Sequence, residues 1–230
     1  MKLIFATNNG NKVSEIKAVV PQSLEVVSLK EAGIDIDIPE PHDTLQANAQ
    51  EKAVVIYKLT GTACFSEDTG PEPHETLDEN AFEKSSTVFA MTGMSCFSED
   101  TGLEVPSLNG EPGVHSARYA GEDKAFEKNI QKLLTNLEGK EDRSAQFRTV
   151  ICLKLADGKE HFFEGICKGT IISEQKGGAG FGYDPVFIPD GATQTFAEMS
   201  LEEKNKYSHR RKAVDGLVAF LNGLPQLNHK

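Results

Sequence analysis

The sequence predicts an α/β fold with a mixed sheet and an antiparallel hairpin. Three observations predict it. Apolar strands and amphipathic helices interleave along the chain. Two β-rich runs flank the turn dipeptide Asp157-Gly158. A 32-residue unit of turn, helix and strand character occurs twice in tandem. A chain of 230 residues forms a sizeable core, and a single domain spanning residues 1–230 is expected, with an internal repeat at 39–70 and 71–102.

Lys2 to Ala6 reads as a short apolar strand, followed by a polar loop and a helix face marked by Val13, Ile16 and Val20. Leu24 to Leu29 is a second strand. The repeat comes next. Its two units align without a gap and are identical at 19 of 32 positions, ending alike in Cys-Phe-Ser-Glu-Asp-Thr-Gly. Thr44 and Thr76 stand where they cap a helix. The first helix carries an apolar face of Ala49, Ala53, Ile56 and Tyr57; the second is weaker, because Ser85, Ser86 and Thr87 are poor helix formers. A strand, Thr62 to Phe65 or Met94 to Phe97, then delivers Ser-Glu-Asp-Thr-Gly into a loop. A solenoid needs about three copies, so two point to a tandem insertion within one domain.

Leu103 to Val105 extends the strand system, and Asn109-Gly110 signals a turn. Phe126 to Leu137 is an amphipathic helix. Gln146 to Leu155 and His161 to Cys167 form the hairpin, with a type I′ turn expected. Gly177 to Gly180 reads as a flexible stretch before Phe181. Ser200 with Glu203 suggests a capping box, and Val214, Leu217, Val218 and Leu221 stripe the final helix.

A formal net charge of −11 argues against a nucleic-acid polymer as partner, but not against one small anionic ligand held by local cations and metal. No apolar run is long enough to span a membrane. The apolar N-terminus is too short for a signal peptide, so a cytoplasmic location is expected. Cys64, Cys96, Cys152 and Cys167 lack metal-site spacing and are expected as buried thiols. No role is assigned to His42, His74, His115, His161 or His229.

Four segments carry possible chemistry. Thr7, Asn8, Asn9, Gly10, Asn11 and Lys12 lie between a strand and a helix, where backbone N–H groups meet phosphate; a plain polar turn explains them equally well. Ser98-Glu99-Asp100-Thr101-Gly102 sets adjacent carboxylates past a strand, suited to Mg²⁺ and to proton transfer from water; a solvated acidic turn is the simpler account. Phe181-Gly182-Tyr183-Asp184-Pro185 offers an aromatic face for a base, or a packed turn. Lys204 and Ser208-His209-Arg210-Arg211 set cations at a helix start, for oxo and phosphate oxygens or merely as an exposed basic face.

The order of these motifs is more telling than any one of them. KLIFATNNGNK, EDTGLEV, GEPGVHSARYAG, QFRTV, GGAGFGYDPVF and EEKNKYSHRRKA together resemble the inosine triphosphate pyrophosphatase family, over nearly the whole chain outside one repeat unit. The resemblance implies an elongated, two-lobed α/β fold with flanking helices and a central cleft, and a homodimer. It implies Mg²⁺-dependent hydrolysis of non-standard purine nucleoside triphosphates (ITP, dITP and XTP) to the monophosphate and pyrophosphate. By position, Thr7 to Lys12 would hold the triphosphate, Asp100 would accept a proton and bind Mg²⁺, and Thr101 would lie beside the substrate. Phe181, Gly182, Tyr183 and Asp184 would hold base and sugar, Lys204 would touch phosphate, and His209 with Arg210 would meet the purine 6-oxo edge.

The repeat departs from the family pattern. If the second unit is the native-like one, Glu72 and Asp100 serve the metal; if the first is, Glu40 and Asp68 do. Asp100 is preferred because it runs directly into LEVPSLNG, which continues the pattern. The extra unit also leaves open exchange of the segment between chains, or a nucleotide-binding or assembly protein of the same fold with impaired turnover. A modified pyrimidine triphosphate is a further candidate substrate.

Overall fold

The computed structural model describes residues 2–6, 14, 17–18, 20, 25–28, 31, 64–66, 74–92, 96–121, 123, 125–155 and 157–223. These residues contain two sheets. In the first, β1 (Lys2–Ala6) lies between β2 (Glu25–Ser28) and β3 (Cys64–Ser66), and both pairings are parallel. The second comprises β4 (Cys96–Glu104), β5 (Pro112–Gly113), β6 (Ser144–Lys154), β7 (Glu160–Ile171) and β8 (Phe187–Pro189). Its order is β5-β4-β6-β7-β8, antiparallel throughout. Four helices with defined bounds accompany them: α1 (Leu77–Thr92), α2 (Phe126–Asn136), α3 (Leu201–Tyr207) and α4 (His209–Gly223). The class is α/β with both pairing modes, each in its own sheet. No helix among the described residues is long and apolar enough to cross a membrane.

Period-two alternation along β6 sets the layers. Val150 and Cys152 face α1, where Leu77 and Ala81 cover them. Ile151 and Leu153 face α4 and meet Ala213, Val214 and Leu217. Further along that second face, Phe147 joins Leu103, Phe187 and Phe196 with Ile130 and Leu133 of α2 in the largest core cluster. Burial of each such Leu or Phe contributes about 1.5–3 kcal/mol. Cys152 and Cys167 are free, buried thiols, and burial pushes Cys167 up to about 11.

The two repeat copies diverge in their use of one sequence. Cys64–Ser66 pairs with β1, whereas Cys96 opens a nine-residue strand paired along its length with β6. Ser98 to Gly102 therefore lies within β4, not in the expected loop. The residues that follow explain the difference. Leu103 and Val105 are fully buried and extend an inward face, whereas Pro71 follows the first copy with no N–H for a ladder. α1 forms in spite of its Ser-Ser-Thr run. Thr76 Oγ1 caps Glu79 N at 3.2 Å, Ser85 Oγ bonds Phe82 O, and apolar burial outweighs deficits of about 0.5 kcal/mol per residue. Ser98 Oγ in turn donates to Ala81 O, tying α1 to β4. The helix expected in the first copy lies outside the described residues; of the N-terminal one, Ser14, Lys17 and Ala18 are helical.

Two turn expectations are corrected. At the hairpin Gly158 is left-handed (φ 83°) but Asp157 is not, and Gly158 N bonds Leu155 O, so the turn is not type I′. Ser200 caps Glu203 N at 3.2 Å, but the reciprocal capping box belongs to Thr195 and Glu198.

α4 crosses β7 at Gly165. A Cβ there would lie 1.9 Å from His209 O and 2.6 Å from Ala213 N. Gly165→Ala is expected to destabilise the fold by about 2–3 kcal/mol, lowering Tm by roughly 5–10 °C in a thermal melt.

Candidate active site

Adjacent strand residues point to opposite faces, and β4 uses this to divide two buried carboxylates. Asp100 faces α1, where its Oδ1 accepts from Lys84 Nζ at 2.9 Å. Glu99 faces α4 and takes Arg210 Nε at 3.0 and 3.2 Å. Each ion is paired, as burial requires. One oxygen stands apart: Asp100 Oδ2 is buried and has no hydrogen-bond partner among the described residues.

On the α4 side of β4 opens a cavity of about 130 Å³. Thr101, Phe181, Gly182, Tyr183, Asp184, Lys204, His209 and Arg210 all line it, so eight of the residues chosen from sequence come together. Asp184 is the local hub. Its Oδ2 accepts from Phe181 N at 2.9 Å and from Lys204 Nζ at 2.8 Å, fixing the aromatic segment against α3. Gly180, expected to supply flexibility, instead permits close approach. It is left-handed (φ 78°), and a Cβ there would lie 2.2 Å from Asp184 Oδ2. Lys204 Nζ lies 5.1 Å and Arg210 Cζ 6.0 Å from the Phe181 ring centroid, both within cation–π range.

Tyr183 OH donates to Ser116 O at 2.9 Å, and burial pushes its phenol far above the ordinary range, so it remains a donor. His209 stacks on Phe147 with centroids 4.7 Å apart and planes 14° apart. Burial, reinforced by the Arg210, Lys204 and Lys212 cations, holds its imidazole well below the usual histidine range. It is a neutral ring, and its Nδ1 has no hydrogen-bond partner among the described residues. Lys204, Ser208, His209 and Arg210 are thus buried, and of the basic segment Arg211 alone is partly exposed, where it pairs with Asp215.

Asp100 does not line this cavity; it lies across β4, one residue from Thr101. On the side away from β6, β5 pairs with Leu103 and Glu104, Gly113 O lies against Gly102, and β3 approaches β4 without a ladder to it among the described residues. Thr7 to Lys12, Glu40, Asp68 and Glu72 lie outside the described residues, and the described residues hold no cluster of three metal-ligating side chains. Sequence reasoning missed Lys84, Glu99 as partner of Arg210, and Phe126 and Phe147 in the cavity wall. Lys84 carried a usable signal: the Glu-Lys pair it belongs to is one of the identities kept in both repeat copies.

A Ham1 family profile matches residues 3–71 and 70–220, covering most of the chain. The chain belongs to the Ham1 family. The two matched stretches of this Ham1 protein meet at the junction between its repeat copies. It is 44% identical over 220 residues to a dITP/XTP pyrophosphatase of Flavobacterium psychrophilum, covering 96% of this chain and 98% of that protein. It is 46% identical over 221 residues to one of Porphyromonas gingivalis, covering 96% and 97%. Its fold is similar to the solved structure of the Staphylococcus aureus Ham1 protein, with a TM-score of 0.71 and 35% identity over 97% of this chain and 99% of that one.

Two expectations follow. Unfolded His209 titrates near 6.5 and folded His209 well below it, so beneath pH 6.5 the unfolded state binds the extra proton. Its contribution to stability is complete above that pH and is lost on acidification by about 1.4 kcal/mol per pH unit. In urea titrations between pH 7 and 5, His209→Asn should flatten that slope. Asp184→Ala removes the carboxylate that meets Lys204 in the interior and should cost about 3–5 kcal/mol, while the double variant Asp184→Leu/Lys204→Met should recover part of the loss.

Proposed function

We propose that this Ham1 protein hydrolyses ITP, dITP and XTP to the monophosphate and pyrophosphate, and so removes non-standard purines from the nucleotide pool. One observation carries the reading. A cavity walled by an aromatic ring, a neutral imidazole and an arginine opens one residue along β4 from a carboxylate whose buried oxygen has no partner among the described residues. The activity named for the relatives agrees with it.

Mg²⁺ is the metal proposed. The test is the chemistry of Asp100: a hard cation seeks carboxylate oxygen, and Oδ2 is buried without a partner among the described residues. Asp100 would hold the ion, with Glu72 as the second candidate. When bound, it supplies charge neutralisation on the phosphates and acidifies water.

The protein's own groups account for the rest. Asp100 accepts a proton from the attacking water. Lys84, 2.9 Å from its Oδ1, draws negative charge on the phosphates towards it. Lys204 and the segment Thr7 to Lys12 hold other phosphate oxygens. Phe181 stacks on the base. His209 and Arg210 face the 6-oxo edge, where adenine instead carries an amino donor. A buried donor left unpaired by ATP costs about 1–3 kcal/mol. GTP also bears a 6-oxo group, so this contact separates ITP from ATP but not from GTP.

Pyrophosphate release with Mg²⁺ is the test, using ITP, dITP, XTP, GTP, ATP and a modified pyrimidine triphosphate. The expected result is turnover of the first three, with kcat/KM for ITP roughly tenfold or more above that for ATP. Asp100→Asn should lower kcat by about 10²–10⁴-fold, whereas Asp68→Asn should not. The reverse pattern would assign the chemistry to the first repeat copy, and nucleotide binding without release would make the protein a binder.

A further inference from the structure

Phe126 opens α2 at the mouth of the cavity and is 46% exposed. Its ring centroid lies 6.4 Å from that of Phe181, with the planes inclined at 48°. Three other rings around the cavity, Phe147, Tyr183 and His209, are each no more than 8% exposed and are held by stacking or a hydrogen bond. Beside these, Phe126 is the ring with room to turn.

The dimensions give that freedom a use. The cavity of about 130 Å³ is slightly smaller than the ~150 Å³ that takes benzene in an engineered core. One ring fills it. The second ring of a purine extends to the mouth, where Phe126 stands. Two aromatic planes enclosing a base lie about 7 Å apart, twice the optimal carbon contact of ~3.5 Å, and the present 6.4 Å is within an ångström of that. The spacing is tied from both sides. Gln175 Nε2, on the segment leading to Phe181, donates to Glu127 Oε1 in the first turn of α2 at 2.6 Å.

We propose that Phe126 is a specificity-determining residue that turns parallel to Phe181 and closes over the outer face of a purine base. The inference rests on the function proposed above and adds to it a reason for preferring two-ring bases. A pyrimidine filling the inner cavity does not reach Phe126; the outer ring of a purine does.

The test compares pyrophosphate release from ITP by the wild type, Phe126→Ala, Phe126→Leu and Phe126→Tyr, each checked by thermal melting. Loss of the stack should raise KM for ITP about tenfold in the Ala variant, with kcat held within about twofold. Leu should restore little and Tyr most of the affinity. Inhibition by pyrophosphate, which has no ring, should be the same in all four. The chain contains no tryptophan, so Phe126→Trp introduces a lone indole reporter. IMP should quench its emission, and ribose 5-phosphate should not. A wild-type KM in an active Phe126→Ala protein, or an indole that ignores IMP or answers equally to ribose 5-phosphate, overturns the proposal alone. A wild-type protein that releases no pyrophosphate from ITP overturns the functional reading, and this inference with it.

Discussion

Two neighbouring carboxylates in one buried strand set the terms for everything around them. An unpaired ion in the interior costs several kcal/mol, and the pleat forbids Glu99 and Asp100 from sharing a counter-ion, because it sends them to opposite faces of β4. Each must be met by a cation from its own side. Lys84 arrives on α1 and Arg210 on α4. The need to neutralise two charges thus clamps a helix to each face of the five-stranded sheet. It also fixes the rotation of α4, which carries His209 next to Arg210. The cavity is a consequence of that clamp and of the apolar packing beneath it.

The electrostatics then divide by depth. Deep in the cavity, in the place proposed for a base, the imidazole is neutral. It can engage an uncharged base edge without the desolvation cost of an ion. Lys204 is held against Asp184, and Lys84 against Asp100, towards the places proposed for phosphate. Two close backbone approaches make the arrangement possible: Gly165 beneath α4 and Gly180 beside Asp184. Both work through the absence of a side chain, and neither has anything to do with mobility.

Much of this was legible in the sequence, for stated physical reasons. The β6–β7 pair followed from the runs flanking Asp157-Gly158, α2 and α4 from periodicity, and the cavity residues from the blocks around Phe181 and His209. What escaped notice depended on partners far along the chain. Thr101 and Gly102 look like turn residues, and only pairing with Thr149 and Arg148, together with burial of Leu103, shows them to be in a strand. The Glu99–Arg210 pair joins residues 111 positions apart. Gly177 to Gly180 reads as a flexible stretch until the atoms packed against Gly177 and Gly180 are known. Phe126 reads as one more apolar residue on a helix face; its place at the cavity mouth comes from how α2 docks, which composition does not encode.

The two copies of Cys-Phe-Ser-Glu-Asp-Thr-Gly have a consequence for how the chain reaches this structure. Identical heptapeptides carry identical local preferences, yet one begins in a parallel sheet and the other in an antiparallel one. The selection is made by context alone: Pro71 after one copy, Leu103 after the other. A nascent or refolding chain therefore presents its β6 edge with two equivalent suitors. A mistaken first engagement must be undone by peeling the intruder away before the rightful strand can seat. The molecule contains its own decoy, and a leucine and a proline are what break the tie.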